Sequence, residues 1–362
     1  MTHTVDLRPD VDPVREHENL YTAGGHEWVA LHIFYSSNAN PVVVDLIEPL
    51  VERLKNEALI RRYFFMRYWM DGPHIRLRLL PAAGVSREQV TETAIASIES
   101  FLKRRPALFS LDASALGDLY KDMYLAEYTV EQWNENYGED GTMPLRDTNT
   151  VLAYEYEPEY AKYGGRHGIA LAEWHFEFSS DLVASLLGEL NVHVRTVLLG
   201  LSVQLMMVMA FTFLEDEDQV VEFLARYREM WQSSLGDQAE SSRKRFDASY
   251  EEMSETLILR LGRIRAELDR ADGQSDLAPF LETWRDHSRQ LRDRVDAAAS
   301  AGELVFPVSR GATETAPVQD PAVARQILLT SYIHMTNNRL GASLIDEAYL
   351  SHILLRALKV EV

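Results

Sequence analysis

Apolar residues along this chain follow two different periods, and the change falls near residue 165. Before it, four runs rich in β-formers predict strands: 26–36 (HEWVALHIFYS), 60–70 (IRRYFFMRYWM), 74–80 and 150–156 (TVLAYEY). Asp71-Gly72-Pro73 predicts the turn that closes the second and third strands into a hairpin. Between strands the spacing becomes helical. Val44, Ile47, Leu50, Val51 and Leu54 fall on one side of a helix over 41–56, with Pro49 predicting a kink inside it. Val90, Ile95, Ile98 and Leu102 do the same over 86–103. The order is therefore β-α-β-β-α-β, the split βαβ or ferredoxin-like order. Beyond residue 165 the pattern is helical almost throughout, near 167–190, 193–214, 217–234, 238–271 and 276–300. A Pro/Gly/Thr loop over 302–320 follows, then two helices opening near Pro321 and Ser343. The fold class expected is α+β: a ferredoxin-like sheet with a large, mainly helical C-terminal part.

Three regions follow from this pattern. Residues 1–25 are polar and Pro-punctuated, an N-terminal arm. Residues 26–165 form the ferredoxin-like region, interrupted by an insertion over 105–149. Residues 166–362 form the helical region, expected to act with the sheet as one catalytic unit. The insertion carries Tyr120, Tyr124, Tyr128, Trp133 and Tyr137 with Gly117, Gly138 and Gly141. A connection this long is either functional or locally folded, and its aromatics are expected to pack it down.

Composition narrows the function classes. The chain has 362 residues with 46% hydrophobic and 25% charged, an ordinary globular balance. It has no cysteine, which excludes disulfides, Cys nucleophiles, Fe–S clusters and thiolate zinc sites. Lys+Arg 36 against Asp+Glu 56 gives a formal charge of −20, a field that repels nucleic-acid backbones, so no direct nucleic-acid partner is expected. The first twenty residues lack the apolar segment of a signal peptide. With the missing cysteines, this fits a cytoplasmic protein. The apolar run over 194–214 is interrupted by Arg195, Ser202 and Gln204 and flanked by the acidic Glu215–Asp218 run. No basic cluster sets a topology, so it is expected to be a core helix and not a membrane span.

Several constellations could carry chemistry. On the strand from residue 74, side chains two apart share a face, so His74, Arg76 and Arg78 oppose Ile75, Leu77 and Leu79. Two guanidiniums and an imidazole on one face suit a carboxylate or phosphate; a solvated polar face is the simpler alternative. In YEYEPEYAKYGG, Tyr154 and Tyr156 share a strand face, Pro158 ends regular pairing, and Gly164-Gly165 allow a tight turn or a close backbone approach. Glu173 lies on an amphipathic helix, where it could orient an arginine, act as a base, or be an ordinary surface carboxylate. In SYIHMTNNRLG, His334 and Asn338 lie one turn apart, Arg339 follows, and Gly341 suits a C-cap. The histidine and arginine could move a proton and hold an anion, or simply complement the helix dipole. HExxH, Walker A, GxGxxG and GxSxG motifs are all absent. Neither His26 with His32 nor His167 with His175 has a metal-ligand spacing, so no metal and no cofactor are expected.

Taken together, WVALHIFY, FFMRYWMDGPHIRLRL, YEPEYAKYGG, AEWHFEFSSD and HMTNNRLG with EAYL resemble, in order, the C-terminal domain of lantibiotic dehydratases. They look closer still to its stand-alone form, the thiopeptide-type bacteriocin biosynthesis proteins. The resemblance implies one of two reactions on a ribosomally made precursor peptide. One is elimination of glutamate from glutamylated Ser or Thr, giving dehydroalanine or dehydrobutyrine. The other is a formal aza-[4+2] cycloaddition of two dehydroalanines that forms a pyridine and expels the leader peptide. Elimination-type members match at Arg76, Arg78 and His334, which this chain retains and which are the expected catalytic residues. Substrate binding is expected of His74, Tyr156, Lys162, Glu173, Asn338 and Arg339. The family's Y-x-R-E-x-x-R-Y-G-G pattern carries arginines where this chain has Pro158 and Lys162. Lysine keeps the charge but loses the bidentate fork. The retained set favours elimination, whereas the aromatic insertion favours a shaped pocket for cycloaddition. A third reading is a non-catalytic module that binds the leader peptide on a sheet edge. Elimination would need a separate glutamyl-tRNA-dependent glutamylating enzyme, and the long helix near 238–271 offers a face for a homodimer.

Overall fold

The four strands expected from the alternating runs assemble into one antiparallel sheet. In the computed structural model the described residues are 28–359, except 112, 140, 215, 234–235, 237–238, 271–275 and 310–311. The arm over 1–25, His26 and Glu215 lie outside them. The strands are β1 (Val29–Phe34), β2 (Ile60–Tyr68), β3 (His74–Pro81) and β4 (Thr150–Tyr154), in spatial order β2-β3-β1-β4 with every pair antiparallel. This is the ferredoxin-like arrangement and bears out the α+β class. Strand β1 is buried along its whole length because it pairs on both edges. Registers of Leu31 with Leu77 and Leu77 with Phe65 carry one apolar row across the sheet. Ile75, Leu77 and Leu79 are fully buried, each contributing about 1.5–3 kcal/mol over an exposed position.

Helix α1 runs from residue 40 to 56, and its middle, Val43–Ile47, is a π-turn before Glu48–Asn56 resumes as α-helix. Pro49 explains it. Proline has no N–H, and its ring collides with the carbonyl four residues back. Widening to a bond from Glu48 N–H to the Val43 carbonyl relieves that collision without ending the helix. Helix α2 (Arg87–Arg104) is capped by Ser86, whose hydroxyl accepts from the Gln89 amide, and it packs against β1, β3 and β4.

The insertion folds on itself. Helix α3 (Ala113–Glu127) and helix α4 (Val130–Tyr137) enclose a small core of Tyr120, Tyr124, Trp133 and Met143. A capping box between Thr129 and Gln132 starts α4. The expectation that these aromatics pack the insertion down is met. Strand β4 ends at Tyr154, two residues short of the expected 156, since its last partner on β1 is Ala30. Likewise β2 stops at Tyr68, where Asp71 and Gly72 take positive φ to form the hairpin turn.

The described residues divide into two compact units, 28–157 with Val183–Glu189, and Pro158–Leu182 with 190–359. The second is helical. It begins with a one-turn helix α5 (Tyr160–Tyr163) that the sequence reading did not include, followed by α6 (Gly165–Glu189), α7 (Arg195–Phe213), α8 (Glu217–Ser233), α9 (Ala239–Leu268) and α10 (Pro279–Ser300). The 302–320 segment, expected as loop, contains the short hairpin β5 (Val305–Pro307) and β6 (Thr315–Pro317). Helices α11 (Pro321–Leu340) and α12 (Leu344–Lys359) complete it. Gly164 and Gly165 both have positive φ, and a Cβ on Gly164 would sit 2.7 Å from the Phe306 ring. Only glycine allows both the left-handed turn and that approach.

Helix α7 is the one described helix long and apolar enough to cross a membrane, and 67% of its most apolar window is buried in the protein. It packs against α9, α10 and α11, as the core-helix reading expects. Its C-terminal carbonyls are met by arginines. Arg292 donates to the Thr212 carbonyl at 3.2 Å and Arg325 to the Phe213 carbonyl at 2.9 Å.

Candidate functional site

Two clusters concentrate the expected residues, one in each unit. In the sheet unit, cross-strand pairing puts Phe34, His74 and Tyr68 in one row, His32, Arg76 and Met66 in the next, and Ala30, Arg78 and Phe64 in a third. This face is not the solvated polar surface that was the simpler alternative: His32, His74 and Arg78 are buried and Arg76 half-buried. His32 is stacked between His74 and Tyr154, with ring centroids at 4.8 and 4.1 Å.

Hydrogen bonds fix the protonation of both imidazoles. The Gly72 carbonyl accepts from His74 Nδ1 at 2.8 Å, and Arg76 Nε donates to His74 Nε2 at 3.4 Å. His74 is thus a neutral ring with its proton on Nδ1. Arg78 Nη2 likewise donates to His32 Nε2 at 3.2 Å. Burial, then the neighbouring arginines, holds His74 down to about 3, and burial with Arg78 pushes His32 far below its ordinary value. Arg78 itself is pushed down to about 9, chiefly by burial and then by Arg76. Its Nη1 donates to the Leu77 carbonyl at 3.3 Å, and its Nε is buried with no partner. The Arg76 guanidinium lies 3.4 Å over the Tyr68 ring, and Arg78 lies 5.5 Å over that of Tyr156. Among the described residues no carboxylate lies within 4 Å of either guanidinium. Two cations beside two neutral acceptor rings and an aromatic rim can, by their chemistry, hold an anion.

In the helical unit, His334 on α11 gives its Nδ1 to Glu347 Oε1 on α12 at 2.7 Å. Glu347 is fully buried and also accepts from the Tyr227 hydroxyl of α8 and from Asn337 Nδ2 at 3.4 Å. Burial and the adjacent Glu347 hold the Tyr227 phenol well above its ordinary range, so it stays a donor. Trp231 covers one face of His334 at 4.9 Å. A buried carboxylate on Nδ1 sets the tautomer and leaves Nε2, which has no hydrogen bond among the described residues, to take or give a proton.

Other expected residues are placed as follows. Asn338 shares the half-buried face of His334. Arg339 is fully buried, donates to the Met335 carbonyl at 2.8 Å and to Ser180 Oγ at 3.2 Å, and lies over Phe176. Glu173 is fully buried, not the surface carboxylate that was the simpler alternative, because its stretch of α6 is buried almost all round. Tyr156 packs edge-on against Trp28 and Phe64. Lys162 is exposed and pairs with Glu159 at 3.6 Å.

Sequence reasoning missed His32, Tyr68, Glu347, Tyr227 and Trp231. Only the strand register brings His32 beside Arg76, and Glu347 lies thirteen residues after His334 on the next helix. One signal was available: a carboxylate within the apolar LIDEAYLSHILL run is one that the fold must bury and pair.

The sheet unit carries two guanidiniums without a nearby carboxylate and the helical unit a carboxylate-held histidine, groups whose chemistry suits an anion and a proton respectively. The chain belongs to the family of lantibiotic biosynthesis dehydratase C-terminal domains, whose pattern matches residues 28–358. Its general task is therefore the maturation of ribosomally made, modified peptides, as an enzyme of that process acting on precursor peptides. Among solved structures it is similar to TbtD, the pyridine synthase from thiomuracin biosynthesis, with TM-score 0.68, 20% identity, and 91% of this chain and 97% of that one covered. It is also similar to TsrL, with TM-score 0.65, 17% identity, and 92% and 95% covered. At these identities the likeness is one of fold. No curated protein matches the sequence.

Proposed function

We propose that the chain eliminates glutamate from glutamylated Ser or Thr of a precursor peptide. The observation that carries this reading is the Arg76–Arg78 face, which holds two guanidiniums with no carboxylate of the protein within ion-pair distance among the described residues. Glutamate esterified to serine offers a free carboxylate, and a second one develops as the C–O bond breaks. Each charge-assisted contact is worth about 1.5–3 kcal/mol. A base removes the Cα proton of the modified residue, the electron pair forms the Cα=Cβ bond, and glutamate departs with the ester oxygen. Within the helical unit, His334 Nε2 is the group equipped to take a proton, with Glu347 to stabilise the imidazolium. His74 and His32 act as neutral props that aim the guanidiniums. The reading implies a separate glutamylating enzyme that uses glutamyl-tRNA, and a cytoplasmic setting. Purified chain incubated with a leader-bearing glutamyl-Ser peptide should release glutamate, and His334→Gln should slow release by about 10²–10⁴-fold. Unchanged release by His334→Gln and by Arg76→Ala would remove both assignments.

A second reading, pyridine formation, is favoured by one contact. Tyr128 of the insertion reaches the Tyr68 hydroxyl at 3.5 Å, beside Arg76. An aromatic wall there suits holding two alkenes together.

A further inference from the structure

The two edges of the four-stranded sheet are built differently. Edge strand β2 is guarded. Its register shifts between Ile60 and Arg62, it carries Arg61, Arg62 and Arg67, and the Glu48–Asn56 stretch of α1 packs against it. Edge strand β4 has none of these devices. Its sequence TVLAY holds no proline and no charge, its register with β1 is unbroken, and among the described residues β1 is its one strand partner. Leu152 and Ala153, which point to opposite faces, are both exposed. Proteins blunt exposed edges because the free N–H and C=O groups template pairing with another chain. A sheet guarded on one edge and open on the other offers the open edge for a strand to be added.

Cross-strand rows define what such a strand would meet. Leu152 shares a row with His32 and Arg76, and Tyr154 with Ala30 and Arg78, so side chains of the next strand out in the same rows fall on the face of the guanidiniums. Tyr154 stacks on His32 and the Arg78 guanidinium lies over Tyr156, so aromatic rings line the way between. Arg78 Nη2 is 3.2 Å from His32 Nε2 on β1. A strand added to β4 lies two strand spacings from β1, about 10 Å. The carboxylate of an ordinary Asp or Glu, about 3–5 Å from its Cα, stops short of that guanidinium even with a hydrogen bond of about 2.9 Å. A glutamate esterified to serine extends about 8 Å and reaches it. A second copy of β4 would bring no carboxylate at all, and five residues are a short seam for whole subunits, whose stable interfaces bury about 1,200–2,000 Å².

We propose that the open edge of β4 binds the modified stretch of the precursor peptide as a fifth strand, with the glutamylated Ser or Thr aimed across β4 at Arg78. Main-chain hydrogen bonds are indifferent to sequence, so one edge can take many sites of a peptide, while side-chain length selects those already glutamylated. The proposal rests on the reading that a glutamylated peptide is the substrate. Its test reads binding to the edge, with no turnover, so either can fail alone.

The probe is a nonapeptide of alanine and threonine around a central diaminopropionate that carries glutamate through an amide, which cannot be eliminated. Hydrogen exchange of the full chain is followed by mass spectrometry with and without the probe. The expected result is exchange slowed about tenfold over Thr150–Tyr154 at saturating probe. N-methyl groups on alternate probe residues should abolish the protection and on the intervening residues leave it, because only every second amide of a strand faces its neighbour. A probe with plain glutamate at the centre should bind about tenfold more weakly. No protection of 150–154, loss with both N-methyl series or with neither, or equal protection by the glutamate-centred probe would overturn the proposal. So would protection of 150–154 that rises with protein concentration in the absence of probe, since a second copy of the chain would then hold the edge.

Discussion

Burial without a counter-anion sets Arg78 apart from arginines such as Arg87 and Arg356, which reach exposed carboxylates. Its pKa falls from the ordinary guanidinium range to about 9, so between those limits the unfolded chain holds the proton more strongly than the folded one. The cost is thus fully present below pH 9, and a bound carboxylate would relieve it. Arg78→Met should therefore melt higher than the parent, by about 1–3 kcal/mol in urea titration, while losing glutamate release. A variant that is less stable would mean that the Arg78–His32 contact holds the sheet together. His74, Arg76 and Arg78 were legible as one strand face, because a period of two needs no tertiary information. Their burial was not legible, since it depends on His32 and Tyr154 arriving from β1 and β4. The same limit hid Glu347 behind His334, as the sequence does not say which carboxylate a helix turn will meet.

Element boundaries followed local chemistry closely where a cap or turn residue stood. Ser86 starts α2, Gly341 ends α11 in the left-handed conformation, and Pro321 opens α11 behind an Asp320 cap. The β-α-β-β-α-β order was legible from period alone and fixed the topology, because few connections satisfy it. What escaped were elements too short to show a period. Strands β5 and β6 have three residues each, and α5 has four. They exist through tertiary support: the Val305 amide donates to the Gly164 carbonyl at 3.0 Å, and Phe306 fills the space that Gly164 leaves. The kink expected at Pro49 became a π-turn that ends two residues earlier, at Ile47, a gentler solution to the same steric conflict.

At the scale of the whole molecule, burial lowers the pKa of His32, His74, His175, His287 and His352 among the described residues. His175 and His287 share a hydrogen bond of 3.0 Å in the helical unit, and burial holds His175 down to about 3 and His287 well below 6.5. His32 and His74 behave alike in the sheet unit. Below 6.5 the unfolded chain takes up protons that the folded chain refuses, so stability falls as pH drops from 6.5 towards about 3. Melting temperature measured from pH 7 to 4 should decline across that window, and a flat profile would contradict the neutral assignment. The formal charge of −20 argued against nucleic acid, and against the same acidic background the Arg76–Arg78 face, with no carboxylate within ion-pair distance among the described residues, stands out. The most direct test of the elimination account is intact mass spectrometry of two leader-bearing peptides, one with glutamyl-Ser and one with two spaced dehydroalanines. The account predicts that the first loses glutamate and gains dehydroalanine while the second is unchanged. An unchanged first peptide, with the second losing its leader to leave a pyridine macrocycle, would contradict it.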